Sequence, residues 1–193
     1  MKALKPVDQH RKPDADVFKQ YLSFMLKGDI FGIGILNIKE IIEYGKVTSV
    51  PMVPDFIRGV INLRGSVVPV IDLARRFGKS LSQINRRSCI VLVELVDPEG
   101  DQQVVGLMVD AVNQVLEISD ADVLPAPAFG ARISTRFIQG MGRVGEDFVI
   151  ILKLDQILSA EDIQFLADVG DKAVIAENPH AYDPGGREDK LIP

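Results

Sequence analysis

Between Val17 and Leu154, apolar residues mostly recur every second position, the period of a strand buried on one face. Leu22, Phe24 and Leu26 share one phase, Gly28-Asp29 supplies a turn, and Phe31, Ile33 and Ile35 return in phase. Gly32 and Gly34 fall on the opposite face, a sign of strong curvature or close backbone approach. The pattern then breaks, because Ile38, Ile41 and Ile42 stand at helical spacing, and a short helix is predicted over 36–44. Two prolines predict an extended segment over 49–54. Residues 59–63 and 67–71 form a predicted hairpin about Arg64-Gly65, and Asp72 is placed to cap a short helix running to Phe77.

Downstream, strands are predicted over 88–96, 103–110, 112–118 and 148–154, with a turn at Pro98-Glu99-Gly100-Asp101 and a connection marked by Pro125 and Pro127. Ser159 and Asp162 have the spacing of a capping box, opening a terminal helix through about 169 with Ile163 and Leu166 inward. A faint duplication is visible: Phe56-Ile57-Arg58-Gly59 recurs as Phe137-Ile138-Gln139-Gly140, each copy followed by a turn and an apolar strand. Short strands with many Gly and Pro turns favour small barrels over a doubly wound sheet. Two barrels of similar design, side by side, leave a crevice between them as a natural partner site. The expected organisation is a flexible tail over 1–16, a domain over 17–169 and a second flexible tail over 170–193. Within the domain, one subdomain covers roughly 17–86 plus the terminal helix, and the other roughly 87–155.

The composition narrows the function. The 193 residues are 47% hydrophobic, enough for a sizeable core. Acids outnumber bases 27 to 22, giving a net charge of -5, and the basic residues Arg75, Arg76, Lys79, Arg86 and Arg87 form only a loose group. A nucleic-acid-binding barrel would instead need a basic groove with exposed aromatics; aromatics are 6% of the chain and Trp is absent. The polar N-terminal stretch has no apolar signal core, and no apolar run approaches the roughly 18 residues of a membrane span, so a cytoplasmic location is expected.

Catalytic and cofactor signatures lack their context. Gly140-Met141-Gly142-Arg143-Val144-Gly145 spells G-x-G-x-x-G, but a β-branched strand follows where a dinucleotide site needs a helix N-terminus. A glycine-rich hairpin is the expected reading. Cys89 is the single cysteine, set in an apolar run, and His10 and His180 both lie in the tails, so neither a zinc site nor a His-activated nucleophile is expected in the body. Asp97, Glu99 and Asp101 lack the spacing and terminal Glu of a calcium loop. No catalytic residue, metal or cofactor is predicted.

What remains distinctive is the stretch from Phe56 to Leu73, in which two apolar strands meet at a turn carrying Arg64. Its planar guanidinium suits a carboxylate or carbonyl oxygens, and Glu40 is a candidate partner on the predicted helix. Arg64 reads either as an orienting group at an interface or as a solvated turn residue.

This stretch carries a resemblance to the CheW family of chemotaxis coupling proteins, extending over roughly 17–169. The resemblance rests on Ile35-Leu36 with Lys39-Glu40-Ile41, on the run from Phe56 to Gly65, and on Val68-Pro69-Val70-Ile71-Asp72-Leu73. Val105-Gly106-Leu107-Met108-Val109-Asp110 with Val115-Leu116, and Pro125-Ala126-Pro127-Ala128-Phe129, complete it. It implies a mainly β fold of two five-stranded SH3-like barrels packed side by side, with short helices and a C-terminal helix. It implies an adaptor joining methyl-accepting chemoreceptors to the regulatory domain of the histidine kinase CheA, recruited from the cytoplasm to membrane receptor arrays. By motif position, Ile38, Glu40, Arg64 and Cys89 fall where the family meets the receptor tip, and Phe129 where it meets the kinase ring. Whether the pathway drives swimming or a non-flagellar response is left open.

Overall fold

The computed structural model describes residues 17–96, 100, 102–127, 133–166 and 168. The strands are β1 (Phe18–Leu26), β2 (Asp29–Gly34), β3 (Ile38–Glu43), β4 (Ile57–Leu63), β5 (Ser66–Asp72), β6 (Cys89–Val96), β7 (Gln102–Val109), β8 (Ala111–Ser119), β9 (Val123–Leu124), β10 (Ile138–Val144) and β11 (Asp147–Leu152). Helix α1 (Leu73–Arg76) follows β5, a single 3-10 turn (Leu154–Gln156) follows β11, and a helix α2 begins at residue 160. One six-stranded sheet runs β8-β1-β2-β11-β10-β9 and one five-stranded sheet runs β3-β6-β7-β5-β4.

Both sheets curl on themselves. In the five-stranded sheet, the chain beyond β3 returns across β4, where Thr48 and Val60 exchange backbone hydrogen bonds of 2.8 Å. In the six-stranded sheet, Ile118 of β8 lies over Gly142 of β10, filling the place where a side chain would stand. The G-x-G-x-x-G run is therefore the β10–β11 hairpin, with a glycine packed inside a barrel.

Three corrections follow. Residues 38–43 form a strand, not a helix, and their exposure alternates along β3 because the backbone pairs with β6; the isoleucine spacing only mimics a helical stripe. The segment 49–54 is not uniformly extended: it turns at Pro51-Met52, with Met52 at φ 59° and 98% exposed. Finally, the sheets do not divide near residue 86. The five-stranded sheet is drawn from 38–109, and the six-stranded sheet from the segments on either side of it.

The reason is an exchange between repeats. β1–β2 is followed by β3, a bridging segment and the β4–β5 hairpin; β6–β7 is followed by β8, β9 and the β10–β11 hairpin. Each leading hairpin docks on the later strands of the other repeat, through parallel pairing of β2 with β11 and of β7 with β5. The repeated Phe-Ile-x-Gly has the same geometry in both copies. A bulge falls between Ile57 and Gly59 and again between Ile138 and Gly140. Phe56 O accepts from Asp72 N, and Phe137 O from Lys153 N, both at 2.8 Å. The glycine is needed because another chain segment crosses it: a Cβ on Gly59 would stand 2.1 Å from Thr48 O, and one on Gly140 would stand 2.8 Å from Leu124 O.

The largest core lies between the sheets. Leu22, Phe24, Leu26, Phe31 and Ile33 of one meet Val91, Val93, Leu95, Leu107 and Val109 of the other. Phe24, Phe31, Phe77 and Phe137 form a chain of ring contacts through it, with centroids 5.1 to 6.0 Å apart. Each such buried side chain contributes about 1.5–3 kcal/mol relative to exposure. Smaller clusters fill the barrels, with Ile61, Val70, Ile90 and Met108 in one and Tyr21, Ile118 and Ile151 in the other.

Candidate partner interface

The β4–β5 hairpin closes on Arg64 at φ 53° and Gly65 at φ 89°, the pair of positive angles that a tight primed turn requires. Asn62 Oδ1 accepts from Gly65 N at 2.9 Å and braces the turn. Arg64 is thereby held at the hairpin tip with its side chain 78% exposed. Curling of the sheet brings this tip to β3, the strand at the opposite end of the strand order, and Arg64 Nη2 donates to Glu40 Oε1 at 3.1 Å. The pair anticipated between Glu40 and Arg64 forms, with Glu40 on a strand. It spans the seam of the five-stranded barrel, above Ile42, Tyr44, Val47 and Leu63, which pack against that barrel's core.

A bulge between Ile38 and Glu40 separates two environments on β3. Ile38 packs against the core between the sheets, while Ile42 packs against the barrel core. Cys89 begins β6 opposite Glu43, half-buried, with Sγ 3.3 Å from Arg87 O. Ile38 and Cys89 thus lie at opposite ends of the β3–β6 ladder, and Glu40 and Arg64 meet beside it. All four belong to one barrel. Phe129 lies outside the described residues.

Behind the hairpin, the wholly buried Asp72 fixes the base of β5. Its carboxylate accepts from Arg75 N at 3.1 Å, Ser82 N at 2.8 Å and Ser82 Oγ at 3.1 Å. Arg58 Nε stands 3.3 Å from Asp72 Oδ2 without hydrogen-bond alignment, as an ion pair. The capping role read for Asp72 holds, and the Arg58 and Ser82 contacts add an anchor that local spacing did not reveal.

A cleft of about 580 Å³ opens between the two sheets. Glu94, Leu95 and Val96 line one side, and Leu154, Leu158 and Ile163 line another. The expected crevice exists, and its lining includes the end of β6 and the terminal segment, where Ile163 was read as inward on the terminal helix. Leu158 was not singled out, though it is apolar and lies between the last strand and the terminal helix. Leu36, part of the run that carries the resemblance, is 97% exposed in the turn before β3. Among the described residues no group of three or more His, Cys, Asp or Glu could hold a metal ion, and no helix is long and apolar enough to cross a membrane.

Two interlocked barrels with an ion-paired seam and a cleft between them define a binding scaffold. Residues 20–162 match the CheW-like domain, and the chain belongs to that family. It is 34% identical over 153 residues to the chemotaxis protein CheW of Klebsiella aerogenes, covering 79% of this chain and 89% of that one. It is 28% identical over 144 residues to the chemotaxis protein CheW of Rhizobium meliloti, covering 75% of this chain and 90% of that one. Among solved structures, it is similar to the scaffolding protein TtCheW of Thermoanaerobacter tengcongensis, with a TM-score of 0.68, 32% identity, and coverage of 81% of this chain and 99% of that one.

Proposed function

We propose that this chain is a chemotaxis adaptor that couples the cytoplasmic tips of methyl-accepting chemoreceptors to a CheA-type histidine kinase. Its role is to bind, not to catalyse, and it is recruited to receptor arrays at the membrane. The observation that carries this reading is the Glu40–Arg64 pair at the barrel seam, with Ile38 and Cys89 along the adjoining ladder. An exposed ion pair contributes only about 0–1 kcal/mol to folding, so its presence on this surface fits recognition better than stability. A receptor helix laid across the seam would desolvate the pair and turn it into an orienting contact.

Pull-down from the native cell should recover both a chemoreceptor and a CheA-type kinase. Arg64→Asp and Glu40→Arg should each lose about 2 kcal/mol or more of receptor-tip binding, roughly 30-fold in affinity, with an unchanged circular dichroism spectrum. Well-folded variants with undiminished receptor affinity would overturn the assignment. Phe129 is proposed as the contact with the kinase ring: Phe129→Ser should spare the binary kinase complex and loosen higher-order arrays, as seen by electron microscopy of reconstituted assemblies.

A further inference from the structure

The two repeats end alike, and one side chain joins their ends. α1 follows the β4–β5 hairpin, and the 3-10 turn Leu154–Gln156 follows the β10–β11 hairpin. Counted from Phe56 and Phe137, Arg76 and Ile157 occupy the same position in the two copies. They are in direct contact, for Arg76 Nε donates to the Ile157 carbonyl. Arg76 Nη2 also donates to Asp162 Oδ2 at 2.8 Å. The guanidinium carbon lies 4.6 Å from the ring centre of Phe56 and 5.8 Å from that of Phe137, the two phenylalanines of the duplicated motif. One cation therefore touches both copies of the repeat and the start of α2.

Asp162 is not a passive partner. Its Oδ2 accepts from Ser159 N at 2.8 Å while Asp162 N donates to Ser159 Oγ at 3.1 Å, a reciprocal cap on α2. The arginine side chain is 15% exposed and the aspartate 18%, so solvent screens the pair less than a surface bridge. The segment they hold, from Leu154 to Ile163, supplies one side of the cleft between the sheets.

We infer that Arg76 is a positioning residue that clasps the terminal segment 154–166 against α1 and thereby sets the width of the cleft between the two sheets. An arginine suits this place because its planar fork reaches a carbonyl and a carboxylate while its faces meet aromatic rings; a lysine can satisfy only part of that set. The inference concerns the shape of the free protein and stands apart from the receptor and kinase assignments.

The test is a distance measurement in the full chain. Spin labels on Val96→Cys and Gln156→Cys, in a Cys89→Ser background, report across the cleft by pulsed electron resonance. Arg76→Met should broaden the distance distribution and shift it to longer separations, and Arg76→Lys should give a smaller change in the same direction. Ile118→Val serves as a control for general loosening, because it lies inside the six-stranded barrel away from the clasp. At a melting temperature matched to Arg76→Met by small additions of urea, it should keep the parent distribution. A parent-like distribution in Arg76→Met would overturn the inference, as would equal broadening in the control.

Discussion

Gly59 answers to a steric demand that no side chain can meet. Its φ of 142° suits only glycine, and the Thr48 carbonyl occupies the space a Cβ would take. Gly59→Ala should destabilise the fold by about 3 kcal/mol or more, read as a lowered urea midpoint; a loss below ~1 kcal/mol would mean that the bridge at Thr48 yields freely. The repeated Phe-Ile-x-Gly was legible in the sequence, but not the crossing strand that makes its glycine obligatory. The Glu40–Arg64 pair was legible because each residue type limits its partners. Its location at a barrel seam was not, since the strands that carry the two residues lie at opposite ends of the strand order. The Asp72 cap could be read from local spacing, whereas its contacts with Arg58 and Ser82 depend on tertiary folding.

At the scale of elements, β3 shows how an apolar pattern misleads. Isoleucines at 38, 41 and 42 satisfy a helical template, but a bulge after Ile38 resets the phase of the strand, and pairing with β6 decides the outcome. The terminal capping box, by contrast, was readable because both of its hydrogen bonds are local. β1 carries a pH dependence of its own. Burial raises the Tyr21 phenol above its ordinary value, and a hydrogen bond with Asp120, reinforced by its charge, raises Lys19. In both cases folding favours the protonated form. Their contribution is therefore complete below about pH 10 and is lost as pH climbs through the raised folded values. Urea unfolding followed from pH 8 to roughly pH 11.5 should show falling stability at the alkaline end, and Tyr21→Phe should flatten part of that fall. An identical alkaline slope in Tyr21→Phe would show that the phenol does not contribute.

For the whole molecule, the boundary drawn near residue 86 separates the two sequence repeats but cuts through both sheets. Alternating patterns reveal hairpins one at a time; they do not reveal the parallel pairings of β2 with β11 and β5 with β7 that exchange those hairpins. Fragments 17–86 and 87–168 should each be largely unfolded alone and should regain native circular dichroism and one cooperative melt when mixed. Independent folding of either fragment would contradict the exchange. The same exchange sends the backbone from sheet to sheet twice, after β2 and after β7. The last passage is a single residue, Asp110, whose amide donates to Met25 O at 3.0 Å and whose carboxylate accepts from Lys27 N at 2.7 Å. The two barrels are stitched together by the chain as well as packed face to face. A load that pulls one from the other meets covalent chain at each crossing, while sideways opening meets the packed core between the sheets and contacts such as that of Arg76. Such a linkage is stiff in tension, a mechanical property that suits a scaffold which must carry load without coming apart.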